Sequence, residues 1–153
     1  MIKPIVCAIA ALVLLAAPAL AADLPTPHVT PGETRSVTLA DLCTPGRASA
    51  YRKAHPVTDA LKSQVLKSYG QRKPKPGEVE YDHLISIELG GITSAKNIWA
   101  QSYVTKPWNA HLKDAVEDRL HALVCSGTIS LADAQREISA DWIKAYRKYL
   151  GTP

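Results

Sequence analysis

Val79-Glu80-Tyr81-Asp82-His83-Leu84-Ile85-Ser86-Ile87-Glu88-Leu89-Gly90-Gly91, followed closely by Asn97-Ile98-Trp99-Ala100, is the stretch on which the fold turns. Val79 to Ile85 is short and β-prone and follows the breaker Lys73-Pro74-Lys75-Pro76-Gly77, which predicts a strand centred on Tyr81. Gly90-Gly91 forces a turn, Ser94 to Lys96 is a polar loop, and Asn97 to Ala100 predicts a second short strand returning beside the first. From about Asn109 to Cys125 the residues Leu112, Val116, Leu120 and Leu123 recur with the period of one helix face, and Ser126-Gly127 ends the helix.

Upstream, Val57 to Tyr69 predicts a helix with Thr58 as N-cap, Leu61, Val65, Leu66 and Tyr69 on one face and Gly70 as its stop. Downstream, Ser130 with Asp133 resembles a capping box and opens a last helix over about 131–149, with Leu131, Ala134, Ile138, Trp142 and Tyr146 on one stripe. Pro25, Pro27 and Pro31 make 22–40 an extended leader with little core of its own, and Ala40 to Gly46 is a turn holding Cys43 next to Pro45-Gly46. There is no internal repeat. The expectation is a small α+β single domain over 41–153, in the order helix, strand, strand, helix, helix.

The first residues set the compartment. Lys3 is a positive n-region, Ile5 to Ala17 an apolar h-region, and Ala19-Leu20-Ala21 a small-residue cleavage pattern, so 1–21 reads as a signal peptide. The apolar run is shorter than the ~20 residues a spanning helix needs and ends at Pro18. No second long apolar run follows, so the mature protein is expected in the periplasm or outside the cell, with no membrane association. Cys7 falls inside the h-region. The two remaining cysteines, Cys43 and Cys125, read as one disulfide in an oxidising compartment, the alternative being two buried free thiols.

The chain of 153 residues carries a formal charge of +4, concentrated unevenly. Arg47, Arg52, Lys53, Lys62, Lys67, Arg72, Lys73 and Lys75 stand against a single acid, Asp59, in the same stretch. Such a block is either an electrostatic footprint for phosphates or the solvated face of a helix. Arg72, Lys73 and Lys75 are the candidate nucleic-acid contacts.

Tyr81 to Gly91 followed by Asn97-Ile98-Trp99 resembles the core of the HNH, or ββα-metal, nucleases: an Asp-His pair on the first strand, a paired-glycine loop, an Asn-apolar pair on the second, then a helix. The wider stretch from Asp41-Leu42-Cys43-Thr44-Pro45-Gly46 to Asp141-Trp142 is similar to exported bacterial HNH-like proteins. The resemblance implies a ββα core over about 79–125. It also implies Asp82 as a metal ligand, His83 as general base, and Asn97 as the residue that ties the loop and orients the histidine. The family's second ligand position falls on Lys106, which cannot ligate while charged, so Asn109 or His111 must supply that ligand. The paired CxxC knuckles of many HNH proteins are absent, and a Cys43–Cys125 bridge would brace the domain instead.

The chemistry suits these residue types. Phosphodiester hydrolysis needs a nucleophilic water and positive charge where the leaving oxygen becomes negative. A neutral imidazole takes the proton from water. Asp82, pointing to the opposite side of its strand, is free to bind a cation. Its hard oxygen suits Mg²⁺ or Mn²⁺, and a helical histidine admits Zn²⁺ or Ni²⁺. Lys113, one turn on from Asn109, either faces a phosphate or is simply solvated. His28, His55 and His121 match no part of the motif and read as surface residues. Trp99, Trp108 and Trp142 read as core or rim, with base stacking as an alternative for Trp108. The expected function is an exported metal-dependent endonuclease of low sequence preference acting on DNA or RNA, a monomer by assumption. The rival is a non-catalytic HNH-scaffold binding module of the cell envelope.

Overall fold

Strand β1 (Val79–His83) and strand β2 (Ile98–Ser102) form a two-stranded antiparallel sheet in which Asp82 faces Trp99 and His83 faces Ile98. The structure, a computed structural model, describes residues 23–153; the expected signal peptide lies outside the described residues. Helix α4 (Ala110–Cys125) follows the sheet, and α5 (Leu131–Leu150) packs along it. Before the sheet come α1 (Leu39–Cys43), α2 (Arg47–Ala54) and α3 (Asp59–Ser68). The fold is a small α+β domain.

The strand-to-strand connection is a constructed loop. Ile87–Leu89 makes a single 3-10 turn, closed by Gly90 in the left-handed region at φ 83°. Gly91 is then pressed so tightly against Ile85 that a Cβ there would lie 1.8 Å from the Ile85 carbonyl oxygen. That contact is why two glycines stand together here: one supplies the backbone turn, the other the absence of a side chain.

The core sits between the loop, α4 and α5, with Ile85, Leu89, Val116, Leu120, Val124, Ala134, Ile138 and Trp142 all buried. The expected stripe of the last helix is the one that meets it. Ser130 caps α5 by accepting from the Asp133 amide at 3.0 Å. The helix is interrupted at Asp141 (φ −168°, ψ 96°), whose Oδ1 accepts from Lys144 N at 3.0 Å, the geometry of an N-cap restarting the second half. Thr58 caps α3 as expected.

Three segments differ from the sequence reading, α2 among them, since it has no buried residue to give it an apolar period. Ala40 to Gly46 was expected as a turn, yet α1 runs through it, started by a capping box between Thr38 and Asp41. The proline-rich leader is extended but belongs to the core: Thr30 is fully buried and its hydroxyl lies 2.7 Å from Tyr69 Oη, and Trp142 Nε1 donates to Asp23 O at 2.7 Å. Gly32 N bonds Lys96 O, and Thr34 bridges to Gly91. Prolines keep this strap from joining a sheet as a full strand, so its hold comes from these individual bonds. Cys43 and Cys125 form a disulfide that ties α1 to the end of α4, with a Cα–Cα distance of 5.6 Å. Among the described residues no helix is long and apolar enough to cross a membrane.

Candidate active site

His83 ends β1 and is only 8% exposed. Its Nε2 lies 2.9 Å from Thr93 Oγ1, and the Thr93 hydroxyl donates to the carbonyl of His55, also at 2.9 Å. A threonine hydroxyl has one proton, here given to His55, so it accepts from His83. Nε2 therefore carries the ring hydrogen and Nδ1 holds the lone pair, with no hydrogen-bond partner among the described residues. Burial, outweighing the attraction of Asp82, lowers the ring's pKa to about 4.

Asn97 stands immediately before β2, fully buried. Its Oδ1 accepts from Ile85 N at 3.0 Å, and its Nδ2 donates to Ile85 O at 3.0 Å and Ile92 O at 2.9 Å. One amide side chain thus closes both ends of the glycine loop, and its own carbonyl accepts from Leu84 N at 2.7 Å, next to His83.

Asp82 and His83, neighbours on a strand and expected on opposite sides, line one cleft of about 150 Å³ together with Arg52, Glu80, Glu88, Asp114 and Glu117. The cleft is acidic. Burial first, and the charge of Asp82 second, raise the carboxyls of Glu80 and Asp114 above their usual range. Arg52 crosses to Glu88 at 3.0 Å. Tyr81 also borders a second cavity of about 460 Å³ with Lys62, Lys67, Lys73 and Gln71, and a third of about 290 Å³ with Lys62, Lys73 and Lys75; Asp59, paired with Lys62 at 3.0 Å, is the one acid on both. Lys73 and Lys75 thus flank a predominantly basic groove that shares Tyr81 with the acidic cleft. Arg72, named with them, is instead drawn to Glu78 at 3.9 Å.

Lys113 corrects the sequence reading most. It is neither solvated nor turned to a phosphate site: it is 0% exposed. Its ammonium lies 2.7 Å from Asp82 Oδ2, donates to His83 O at 2.7 Å and pairs with Glu117. The Asp82 contact is held by charge, because Oδ2 receives no directed hydrogen bond. Burial opposes the charged ammonium, but Asp82 and then Glu117 outweigh it and raise the lysine above its ordinary value. Glu117 itself is raised well above the usual carboxylate range by burial, against the pull of Lys113. The reason lies in helix period: Ala110, Lys113, Val116 and Leu120 form the buried stripe of α4, so a lysine at that position must send its ammonium to the sheet. Glu117, four residues on, is a site residue the sequence reading missed, although Lys113 and Glu117 stand at helical pair spacing.

The other expected ligands are engaged elsewhere. Asn109 is the N-cap of α4, its Oδ1 accepting from Leu112 N at 3.3 Å and its Nδ2 donating to Thr105 O at 3.2 Å. An asparagine directly before a helix is a capping signal, and that role accounts for its placement. His111 is exposed and stacks on Tyr103 with ring centres 5.0 Å apart. Neither lines the cleft. Trp108 is packed edge-on against Trp142 and Tyr146 with Arg147 over its ring, which leaves it as a core-rim aromatic.

His121, expected at the surface, is half-buried beside the disulfide, with Nε2 3.1 Å from Leu42 O and 3.3 Å from Cys125 Sγ. Among the described residues, Cys43, His121 and Cys125 are the only three histidine, cysteine or acidic side chains whose ligand atoms lie within 4.8 Å of one another. As thiolates and imidazole they could hold a metal ion; while the sulfurs are bonded to each other, only the imidazole is left to ligate. No family model, curated protein or solved structure matches the chain.

Proposed function

We propose that the mature domain is an exported HNH-like phosphodiesterase that cuts DNA or RNA with low sequence preference, working in the periplasm or outside the cell. The observation that carries the reading is His83: a buried imidazole with its tautomer fixed by Thr93 and an unengaged Nδ1 on a cleft that adjoins a basic groove. The disulfide fits an oxidising compartment.

In this reading the groove residues Lys73 and Lys75 hold the phosphate backbone, which positions the strand without reading bases. Nδ1 of His83 takes a proton from water as the water oxygen bonds to phosphorus. The bond from phosphorus to the leaving oxygen breaks, and that oxygen takes a proton from solvent. Arg52 is the cation that faces the cleft and offsets charge on the phosphoryl oxygens. A base with a pKa of about 4 is fully neutral at pH 7 but has modest proton affinity, which favours slow hydrolysis. The divalent ion expected from the sequence, Mg²⁺ or Mn²⁺ first and Zn²⁺ or Ni²⁺ second, does not fit its expected ligands. Asp82 is paired with Lys113, Asn109 caps a helix and His111 stacks on Tyr103. No step is therefore routed through a metal.

Purified mature protein is expected to nick supercoiled plasmid, and His83→Ala to lower the rate about 10²- to 10⁴-fold, the usual contribution of a general base. Equal nicking by both would sink the reading. A second reading, a non-catalytic module that binds nucleic acid through the basic groove, is favoured by the enclosed Lys113 alone. It expects the double variant Lys73→Glu/Lys75→Glu to weaken DNA binding and flatten its salt dependence while His83→Ala changes nothing.

A further inference from the structure

We infer that the Lys113 ammonium is the resident cation of this cleft, occupying the position beside Asp82 that a divalent ion would take, with Glu117 as its second anchor. The inference concerns the cleft of the nuclease reading and rests on that reading only for the expectation that a metal belongs at Asp82.

The ammonium lies 2.7 Å from Asp82 Oδ2. A hard divalent ion such as Mg²⁺ binds a carboxylate oxygen at about 2.0–2.1 Å, and an ammonium already against that oxygen repels it at contact range. Of the three N–H donors of this lysine two go to the His83 carbonyl and Glu117, and the Asp82 carboxylate closes its remaining side as an ion pair. At 0% exposure the ammonium cannot reach a substrate. Lys113 is therefore a positioning residue. By joining the Asp82 carboxylate and the His83 carbonyl to α4, it does mechanically what a metal bridging strand and helix would do, and holds the end of β1 that presents the imidazole. Glu117 completes the arrangement by accepting from the ammonium on the side of α4, a donor that would otherwise go unmet in the core.

The test is Mn²⁺ binding to the full mature protein, read from the loss of free-ion paramagnetic resonance, with plasmid nicking in Mn²⁺ and in EDTA alongside. Wild type is expected to bind no Mn²⁺ through Asp82, so wild type and Asp82→Asn give the same titration. Lys113→Met is expected to bind Mn²⁺ about tenfold or more tighter than wild type, and Lys113→Met/Asp82→Asn to lose that gain. Wild-type binding that Asp82→Asn abolishes overturns the inference, as does a folded Lys113→Met that gains nothing. Should Lys113→Met fail to fold by circular dichroism, the comparison of wild type with Asp82→Asn still decides. Cleavage that appears only with Mn²⁺ and requires Asp82 keeps the nuclease reading and overturns this inference. No cleavage under either condition, with the expected binding pattern, removes the nuclease reading and leaves the resident cation.

Discussion

Replacing Asn97 with alanine removes the amide that closes the glycine loop, and its effect can be worked from the bonds it makes. Oδ1 accepts from Ile85 N at 3.0 Å and from Glu33 N at 3.4 Å, and Nδ2 donates to Ile85 O and Ile92 O at 3.0 and 2.9 Å. Three of these are of full strength by length. A buried polar group left without its partner costs about 1–3 kcal/mol. Three such groups sum to about 4 kcal/mol at the lower half of that range, which is the right half because water entering the vacated space satisfies part of the loss. With a urea m-value of about 2 kcal/mol/M, the unfolding midpoint of Asn97→Ala should fall by about 2 M. The measurement is equilibrium urea denaturation followed by far-UV circular dichroism and by tryptophan fluorescence, since Trp99 lies two residues away in β2. A midpoint shift below about 0.5 M, or about 1 kcal/mol, would refute the reasoning, because the loop would then be held by something other than this side chain.

Gly91→Ala should destabilise by about 3 kcal/mol in a thermal melt, the upper end for a forced overpacking, because the clash is with the Ile85 backbone and no side chain can move aside; a melt within experimental error of wild type would mean the loop is free to open. Cys43→Ser/Cys125→Ser should cost about 4–5 kcal/mol for a bridge spanning 82 residues, measured by urea titration against the oxidised parent, and an unchanged midpoint would count against the bridge. For His83, lowered to about 4 by burial against an unfolded value near 6.5, the unfolded chain binds the extra proton between those limits and the folded chain does not. Stability is then complete above about pH 6.5 and falls by about 3 kcal/mol as pH drops towards about 4. His83→Gln should flatten that slope, and parallel pH profiles for variant and parent would contradict the buried neutral ring.

Caps and periods are local, and they were legible: Thr58 and Ser130 start α3 and α5, the Gly90-Gly91 pair turns between the strands, and the apolar stripe of the last helix is the one that meets the core. The cysteine pair was legible from compartment logic alone. Two short helices were missed because α1 and α2 are brief and α2 has no buried residue to give it a period. Asn109 was misjudged for a different reason: a polar residue at a helix start answers equally to capping and to ligation, and only its bonds to Leu112 and Thr105 separate the two.

What the sequence by itself determined is therefore the order of elements from α3 onward, the caps of α3 and α5, the turn between the strands and the placing of Asp82 beside His83 on one strand, all set by interactions within a few residues. What only the tertiary structure decided is the electrostatic content of the cleft. Whether Lys113 is a surface lysine or a buried cation depends on the His83 carbonyl and the Asp82 carboxylate some 30 residues away, brought to its ammonium by the docking of α4 on the sheet. The same holds for the proline-rich strap, whose buried threonine finds Tyr69 across 39 residues. Long-range contacts of this kind leave no period in the chain, because the burial that makes a charge costly and its partner necessary exists only once the elements have packed.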